Sequence, residues 1–556
     1  MNALLPPTAP QQDPPVGTTA LPALQQRRQK RRPWRRLWHP LTAICAVQAA
    51  LSLTLVWSNA AFEDEADYLW LGHLEWAHWL HGTSWPSGYA DRFLSGLPIA
   101  YPPLGAVADS IGGLAGARLL SLCFMLAGTV LLYLTASRLI GHRGALIGCA
   151  LWALSEPALR LAFATYDPLS VLFTALSAWL AVQAVDRRHR GAWVAGTAGA
   201  LALANATAYS GIVIDPILIG FAFLVWLPRM RAGRALLWAL CLAGGCAVVF
   251  GLLMTGAGSW PGLLFTVVNR TASDHQSALL LLNDVWGYSG LILCLAMVGT
   301  VFAVGTENRQ RGFLIALLGC AAFVVPAAQL YDQTGWSLDK HLAYGMWFAA
   351  IASGYACSRL IGWLPQTNWR FTAACCAVVL AYPAVSSWES AWQVYHSWAN
   401  TNSFIAAFKP IAGRSQGSVY AATQIHIAEY YIPQVSWTRW TTKLSLDPAS
   451  VAPADRESYY LSQLRQGRYG AIALFYSTTF SSAPEMPSTL LLPRSSTPGG
   501  QTLLGLVGEG SGEPGLPALT QALESDKKNY RLARVGAFDA SRGHGIYAIW
   551  QKKAQP

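Results

Sequence analysis

The chain has 556 residues, of which 53% are hydrophobic and only 12% are charged. A soluble globular protein carries about twice that share of charged residues, so the composition excludes an ordinary water-soluble protein. The net charge of +11 would suggest a nucleic-acid partner in a soluble protein. In a membrane protein it has a simpler cause, because Lys and Arg gather in cytoplasmic loops. We therefore expect a polytopic membrane protein that binds no nucleic acid.

The N-terminal segment precedes the first apolar span. Residues 1–26 are rich in Pro, Gln and Ala, a composition typical of disorder, and the basic stretch Arg27–Arg36 leads into an apolar segment at 41–57. A basic stretch before an apolar one is also the pattern of a signal peptide, with Ser58-Asn59-Ala60 as its cleavage sequence. The apolar segment is long for a signal peptide. We favour an uncleaved first helix after a disordered basic cytoplasmic tail, residues 1–40.

Further apolar segments have about the length that a helix needs to cross the hydrocarbon core. Basic clusters occupy alternate loops between them, which places these loops and the N-terminus in the cytoplasm and the C-terminus outside. The sequence predicts an inner-membrane protein with about eleven transmembrane helices. The further segments are 115–140, 145–161, 170–185, 192–209, 211–227, 235–256, 285–305, 313–330, 341–363 and 371–388.

The first predicted outer loop, residues 58–114, begins with the acidic cluster Glu63-Asp64-Glu65-Ala66-Asp67. Trp and Leu residues then recur at helical spacing up to residue 80, which predicts an amphipathic helix in the membrane interface. Carboxylates beside a membrane are costly to desolvate and tend to be functional. Asp64 or Glu65 could act as a general base. Asp64 and Asp67 could instead bind a divalent cation, or the cluster could be a solvated loop, and the spacing does not decide.

Other charged residues fall on the same predicted side of the membrane. Asp167, in the turn between the third and fourth spans, is a second candidate for catalysis, although Asp before Pro168 also suits a helix N-terminus. Basic residues are rare on this side, and each exception could hold a lipid-linked phosphate or be a side chain that reaches from a helix end to the interface. The exceptions are Arg92, Arg160, Arg270 and Lys340 in the loops, the last beside His341, with Arg118 at the outer end of the second span.

The character of the chain changes at about residue 390. Charged residues return, strands are predicted at 417–421, 469–475 and 545–550, and a helix is predicted at 424–431. We expect a transmembrane catalytic domain at 41–389 and a smaller extracytoplasmic α/β domain at 390–556.

Four motifs resemble the GT-C glycosyltransferases, and most closely the branch of the protein O-mannosyltransferases and the aminoarabinose transferases of lipid A. The first-loop sequence Asp64-Glu65-Ala66-Asp67-Tyr68 resembles the family's Asp-Glu-Ala-x-Tyr motif. Tyr101-Pro102-Pro103 is similar to its Lys-Pro-Pro segment, Arg118-Leu119-Leu120-Ser121 to its Arg-Leu-x-Ser stretch, and Tyr166-Asp167-Pro168 to its second acidic turn. The resemblance covers roughly residues 40–190.

The resemblance implies a GT-C fold and a polyprenyl-phosphate-linked sugar as the donor, with a hydroxyl of a lipid or of a cell-envelope glycan or protein as the acceptor. It implies that Asp64 is the catalytic base or its organiser, with Glu65 beside it, and that no cofactor is needed beyond a divalent cation, which stays open. Tyr101 stands where the family has a lysine. A phosphate contact expected there must therefore come from elsewhere, and Lys340, His341, Arg92 and Arg270 are candidates.

Two other functions remain as alternatives. A transporter or flippase of lipid-linked saccharides would place charged residues in several spans, and no internal repeat suggests the inverted halves common in transporters. A polysaccharide polymerase or ligase would place its functional charges in a large late loop. Here the acidic residues gather in the first loop, which favours the transferase.

Overall fold

The computed structural model describes residues 34–185, 187–269, 276–335, 337–363, 369–396, 398–421, 425–441, 456–478, 516–540 and 543–554. Long helices dominate the chain up to residue 395, and a small sheet with short helices follows. The first ten helices are α1 (Trp34–Val56), α2 (Glu63–His81), α3 (Ser87–Phe93), α4 (Pro102–Ala153), α5 (Glu156–Arg160), α6 (Asp167–Ala184), α7 (Arg190–Thr207), α8 (Asp215–Trp226), α9 (Ala232–Ala257) and α10 (Trp260–Leu264). The next eight are α11 (Ala278–Thr306), α12 (Arg309–Asp332), α13 (Leu338–Gly362), α14 (Trp369–Tyr395), α15 (Asn402–Arg414), α16 (Ile425–Tyr431), α17 (Arg456–Arg465) and α18 (Leu516–Ser525).

The helices confirm a multi-pass membrane protein. Within the described residues, six helical segments are long and apolar enough to cross a bilayer, and Pro40–Val56 is a shorter apolar helix. Each apolar segment predicted from the sequence overlaps a helix. The figure of about eleven crossings remains a prediction. The six segments are Pro102–Ala153, Asp167–Ala184, Tyr209–Arg229, Ala232–Ala257, Ala278–Thr306 and Arg309–Asp332.

Helix α4 is broken at two glycines, and the second break separates two of the predicted spans. Gly113 has φ 62° and Gly141 has φ 83°, a backbone region that residues with a Cβ rarely adopt. The break at Gly141 falls between the predicted spans 115–140 and 145–161. The helix therefore bends at Gly141, and the chain is helical on both sides of the bend.

The crossing of α4 and α13 is unusually close. A Cβ on Gly148 would lie 2.6 Å from the carbonyl oxygen of Ala350, and one on Gly354 would lie 2.3 Å from that of Gly144. Small residues at such crossings let helix backbones approach, which is how membrane helices gain packing energy without a hydrophobic driving force. Since α13 begins with Leu338 and carries Lys340 in its first turn, this crossing determines where that lysine lies.

The two ends of α13 meet different neighbours. At one end Arg359 and Arg311 both pair with Glu307 and form a basic cluster. Arg311 also donates to the carbonyl of Leu139 at 3.2 Å. At the other end Lys340 contacts the acidic first loop. From Lys340 to Arg359 an α-helix rises ~28 Å, close to the ~30 Å of the hydrocarbon core. The acidic loop and this basic cluster therefore lie at opposite ends of the helix bundle.

The C-terminal sheet has five strands in the order β2-β1-β3-β5-β4, with β1 parallel to both β2 and β3 and the remaining pairs antiparallel. The strands predicted from the sequence correspond to β1, β3 and β5, and the predicted helix corresponds to α16, which follows β1 and packs against α2. The sequence did not predict β2 or β4. The strands are β1 (Ser418–Ala421), β2 (Trp440–Thr441), β3 (Tyr469–Thr478), β4 (Tyr530–Ala540) and β5 (Gly543–Lys552).

Candidate active site

A cavity of about 640 Å³ lies at the bundle end that carries the acidic first loop. Its walls come from α2, α3, the segment after α10, the start of α13 and α16. The polar and charged residues that line it are Glu63, Asp64, Asp67, Ser95, Arg160, Thr165, Thr266, Thr334, Ser337, Asp339, Lys340, His341 and His426. The aromatic and aliphatic ones are Phe62, Tyr68, Tyr89, Phe93, Leu94, Phe163 and Phe265.

The acidic cluster forms the first turns of helix α2 rather than a loose loop. The helix begins at Glu63, where negative side chains are stabilised by the helix dipole. Because successive helical residues point about 100° apart, the carboxylates separate onto different faces. Asp64 and Asp67, one turn apart, line the cavity, whereas Glu65 is fully buried.

Lys340 joins the two acidic motifs. Its Nζ lies 2.7 Å from Asp64 Oδ2 and 3.7 Å from Asp167 Oδ2. Asp167 is buried behind the lysine, where Thr165 Oγ1 donates to it at 3.2 Å and Tyr344 OH at 3.5 Å. In α6 the N-cap residue is Tyr166, and Asp167 is the first residue of the helix. Two carboxylates around one ammonium group favour its charged form.

A second cation, Arg160, lines the cavity together with Lys340. Its Nε pairs with Asp339 Oδ2 at 2.6 Å, and its guanidinium lies over the ring of Phe163, 4.4 Å from the centroid. Among the described residues, no acceptor reaches its buried Nη1 atom. Arg160 therefore retains hydrogen-bonding capacity beside Lys340.

The third cation comes from the C-terminal half of the chain. His426 Nδ1 lies 3.3 Å from Glu429 Oε2 and 3.5 Å from Asp67 Oδ1, and Tyr89 OH donates to Asp67 Oδ2 at 3.3 Å. Burial alone would lower the pKa of His426, but the two carboxylates outweigh it and raise that pKa to about 10. Burial raises the pKa of Asp67 to about 6, against the opposing effect of His426. His426 is therefore an imidazolium at neutral pH.

His426 was not among the residues predicted from the sequence. The available signal was the pattern Ile425-His426-Ile427-Ala428-Glu429, in which a histidine and a glutamate three residues apart share one face of an otherwise apolar helix. Such a pair is more often a structural contact than a site. Only its position against α2 shows that it lines the cavity.

Glu65 and Arg118 lie away from the cavity, in contact with each other. Both side chains are fully buried, with Arg118 Nη2 2.7 Å from Glu65 Oε2 and Nε 3.0 Å from Oε1. The guanidinium also donates to three carbonyls, one in the last turn of α1 and two between α1 and α2, and Glu65 accepts from two backbone N–H groups. The carbonyls are those of Leu55, Asn59 and Ala60, and the N–H groups are those of Phe62 and Ala164. This geometry ties the first loop to α4 and gives Glu65 no access to a substrate.

The remaining predicted residues are dispersed. Tyr101 is fully buried and shares a 3.1 Å hydrogen bond with Ser121. Arg92 is exposed on α3, over the ring of Phe93. His341 lines the cavity beside Lys340, and Arg270 lies outside the described residues. The structure thus brings Asp64, Asp67, Asp167, Lys340 and His341 together and leaves Glu65, Arg118, Tyr101 and Arg92 elsewhere.

Asp64 and Asp67 are the two aspartates predicted as possible ligands of a divalent cation. In the structure they face cationic side chains of the protein itself, Lys340 and His426. Within the described ranges, no group of three or more His, Cys, Asp or Glu side chains is arranged to hold a metal ion. Binding of a divalent cation by these two aspartates stays a prediction.

Comparisons with known proteins point to one fold. Residues 110–254 match the family model described as dolichyl-phosphate-mannose-protein mannosyltransferase. The structure is similar to ArnT from Cupriavidus metallidurans in the apo state, with a TM-score of 0.55, and to the same protein bound to undecaprenyl phosphate, with a TM-score of 0.52. In both cases the sequences are 14% identical and the match covers 91% of this chain and 97% of that one.

A second similar structure is the apo form of the Archaeoglobus fulgidus oligosaccharyltransferase, which is 14% identical with a TM-score of 0.50. That match covers 78% of this chain and 69% of the other. No significant sequence match is found among curated proteins. The structural likeness shows a shared fold, which confirms the fold class expected from the sequence motifs.

Proposed function

We propose that the chain is a membrane glycosyltransferase of the GT-C superfamily that moves a sugar from a polyprenyl-phosphate donor to an acceptor hydroxyl at the outer face of the cytoplasmic membrane. The match of residues 110–254 to the mannosyltransferase family model and the fold shared with ArnT support this proposal. The observation that carries this proposal is the Asp64–Lys340–Asp167 cluster in the cavity at one end of the helix bundle. It combines a carboxylate for the acceptor with a cation for the departing phosphate.

Transfer from a lipid phosphate has two chemical requirements. The phosphate is already a good leaving group, so a base on the acceptor hydroxyl and positive charge beside the leaving oxygen suffice. We assign the base to Asp64, whose side chain is 33% exposed and faces the cavity. Asp167 is almost fully buried behind Lys340 and acts as a positioning residue that holds the ammonium group in place.

The bond changes follow from this arrangement. The acceptor hydroxyl gives its proton to Asp64, and its oxygen forms the new bond to the anomeric carbon. The bond from that carbon to the phosphate oxygen breaks, and the lipid phosphate leaves with the electron pair. Lys340 and Arg160, which both line the cavity, stabilise the charge that develops on the phosphate. His341, next to Lys340, lies where it can contact the same group.

The apolar part of the cavity suits the lipid chain. The rings of Phe93 and Phe265 lie 5.1 Å apart and, with Leu94, form one wall. An isoprenoid chain gains free energy by packing on such a surface. We propose that the donor enters along this wall with its phosphate toward Lys340.

The proposed orientation rests on the distribution of charge. The cavity and the cluster of Arg311 and Arg359 lie at opposite ends of the bundle, and basic residues favour the cytoplasmic side. This supports a cytoplasmic N-terminus, a catalytic domain at 41–389 with its first loop at 58–114, and an extracytoplasmic part at 390–556. The acceptor would be a lipid or a cell-envelope glycan or protein.

The proposal is tested with the purified full chain in lipid nanodiscs supplied with labelled polyprenyl-phosphate sugars and an envelope extract as acceptor. Asp64→Asn should lower the rate of transfer about 10² to 10⁴-fold, the usual contribution of a general base, with affinity for polyprenyl phosphate kept within about twofold. Asp332→Asn, at an exposed carboxylate outside the cavity, is the matched control and should retain full activity. Unchanged turnover in Asp64→Asn would remove Asp64 from the mechanism.

A further inference from the structure

We propose that His426 binds the phosphate of the lipid-linked donor through its Nε2–H group, so that the C-terminal half of the chain completes the active site. This inference rests on the proposed function and deepens it. It assigns to α16 a direct contact with the substrate rather than a capping role over the cavity.

The first support is the orientation of the imidazole. Nδ1 faces Asp67 and Glu429, and the side chain, which is 12% exposed, lines the cavity. No described residue accepts a hydrogen bond from Nε2. With Nδ1 engaged, Nε2 is the nitrogen that can donate to a ligand.

The second support is the charge balance of the cavity. Lys340 is shared by Asp64 and Asp167, and Arg160 pairs with Asp339, so both cations from the membrane helices are already matched by carboxylates. A phosphate needs further donors with charge behind them. His426 is paired with carboxylates too, but through Nδ1 alone, so its Nε2–H supplies a further charge-assisted donor in the cavity.

The third support is a row of rings that leads away from His426. The imidazole and the Tyr89 ring have centroids 6.0 Å apart, Tyr89 and Phe93 are 5.5 Å apart, and Phe93 and Phe265 are 5.1 Å apart. All four side chains line the cavity. A polar head at His426 with an apolar tail along these rings is the shape of a polyprenyl phosphate, which favours the donor over a polar acceptor as the ligand of His426.

Helix α16 packs against α2 and is also held by contacts to α4 and to the segment before α2 that do not involve His426. Tyr430 OH donates to Asp109 Oδ1 at 2.6 Å, and the backbone N–H of Ala61 donates to Tyr431 OH at 2.9 Å. A substitution at position 426 therefore leaves α16 in place. This makes the histidine accessible to mutational tests.

The test uses His426→Asn in the full chain. The asparagine amide can occupy the position of Nδ1 and keep a contact with Asp67, but it has no group at the position of Nε2. Binding is measured in nanodiscs for polyprenyl phosphate and for the polyprenol of the same chain length, which lacks the phosphate. The matched control is His396→Asn, because His396 stacks on Trp392 and does not line the cavity.

We expect His426→Asn to bind polyprenyl phosphate about tenfold to hundredfold more weakly, the loss of one hydrogen bond between charged groups, and to bind polyprenol as the unmodified protein does. His426→Lys should recover part of the lost affinity because it restores a cation. The control should bind both lipids normally.

Four results would overturn the inference or the proposed function beneath it. Equal losses for both lipids would mean that His426 only shapes the cavity. Normal lipid binding combined with a raised KM for the acceptor would assign the residue to the acceptor. If the unmodified protein does not prefer polyprenyl phosphate to polyprenol, the proposed function itself fails, whereas a preference kept by His426→Asn overturns this inference alone.

Discussion

Lys340 Nζ lies 2.7 Å from Asp64 Oδ2, although 276 residues separate the two in the chain. Asp64 stands in the first turn of α2, and Lys340 stands in the first turn of α13. Each is placed by its own helix, and the ion pair forms because both helices begin at the same end of the bundle. This contact links the two parts of the chain that the proposed reaction requires.

A double-mutant cycle on this pair should show strong coupling. Lys340→Gln and Asp64→Asn should each lower the rate of transfer by about 10²-fold or more. The double variant should be about as active as the less active of the two single variants, because the two side chains act as one unit. Transfer rates of the four proteins, measured at equal amounts of folded protein, give the coupling. Additive losses would show that Lys340 and Asp64 act independently.

Glu65→Gln should act on stability rather than on catalysis. It leaves the guanidinium of Arg118 buried without its carboxylate, and breaking such a pair costs about 3–5 kcal/mol. Thermal unfolding in detergent should show a marked loss, while the protein that remains folded keeps its KM for the donor. Arg92→Gln, at an exposed arginine, should change stability by less than about 0.5 kcal/mol. A stable but inactive Glu65→Gln protein would instead return Glu65 to the catalytic machinery.

Gly354→Ala should disturb the site from a distance. A Cβ there would lie 2.3 Å from the carbonyl oxygen of Gly144, so α13 must move away from α4, at a cost of about 1–3 kcal/mol. Because Lys340 begins the same helix, activity should fall together with the melting temperature. Gly199→Ala in α7, where a Cβ meets nothing within 4 Å, should be neutral or slightly stabilising. Equal behaviour of the two variants would contradict the close crossing.

The stability of the protein should fall as the pH rises from neutral toward 10. His426 faces Asp67, Glu429, Glu63 and the ring of Tyr89, and these carboxylates raise its pKa to about 10, against ~6.5 for an exposed histidine. The folded state therefore binds more protons than the unfolded chain in this interval. The resulting stabilisation is fully present below about pH 6.5 and is lost as the pH passes about 10.

Burial raises the pKa of Tyr89 well above its ordinary value, so this tyrosine stays neutral throughout the interval. Melting temperatures from pH 7 to 10 should decline more steeply for the unmodified protein than for His426→Asn. Parallel curves for the two proteins would show that His426 does not hold its proton against the carboxylates.

The sequence alone determined the membrane fold. The apolar segments overlap the helices of the structure because a backbone in lipid must satisfy its hydrogen bonds within its own segment, so that local composition decides. In the C-terminal sheet, the apolar runs at β1, β3 and β5 were found, whereas β4 was missed. Its sequence contains Arg531, Arg534 and Gly536, and charged residues and glycine weaken the strand pattern.

The sequence also located the acidic cluster, but it did not decide which carboxylate faces the cavity. That choice depends on the rotation of α2 against α4. Glu65 turns toward Arg118 inside the bundle, and Asp64, its neighbour in the chain, turns toward Lys340. Adjacent helical residues point about 100° apart, so a motif of consecutive acids cannot itself assign their roles.

Only the tertiary structure brought His426 and Arg160 to the same cavity as Asp64 and Lys340. Composition and spacing describe what a short segment prefers, because they act through local backbone and solvation energies. Contacts between residues hundreds of positions apart depend instead on how helices cross and which faces they bury. The chain's local pattern therefore determined its helices and its membrane class, and the packing of those helices decided which charges meet.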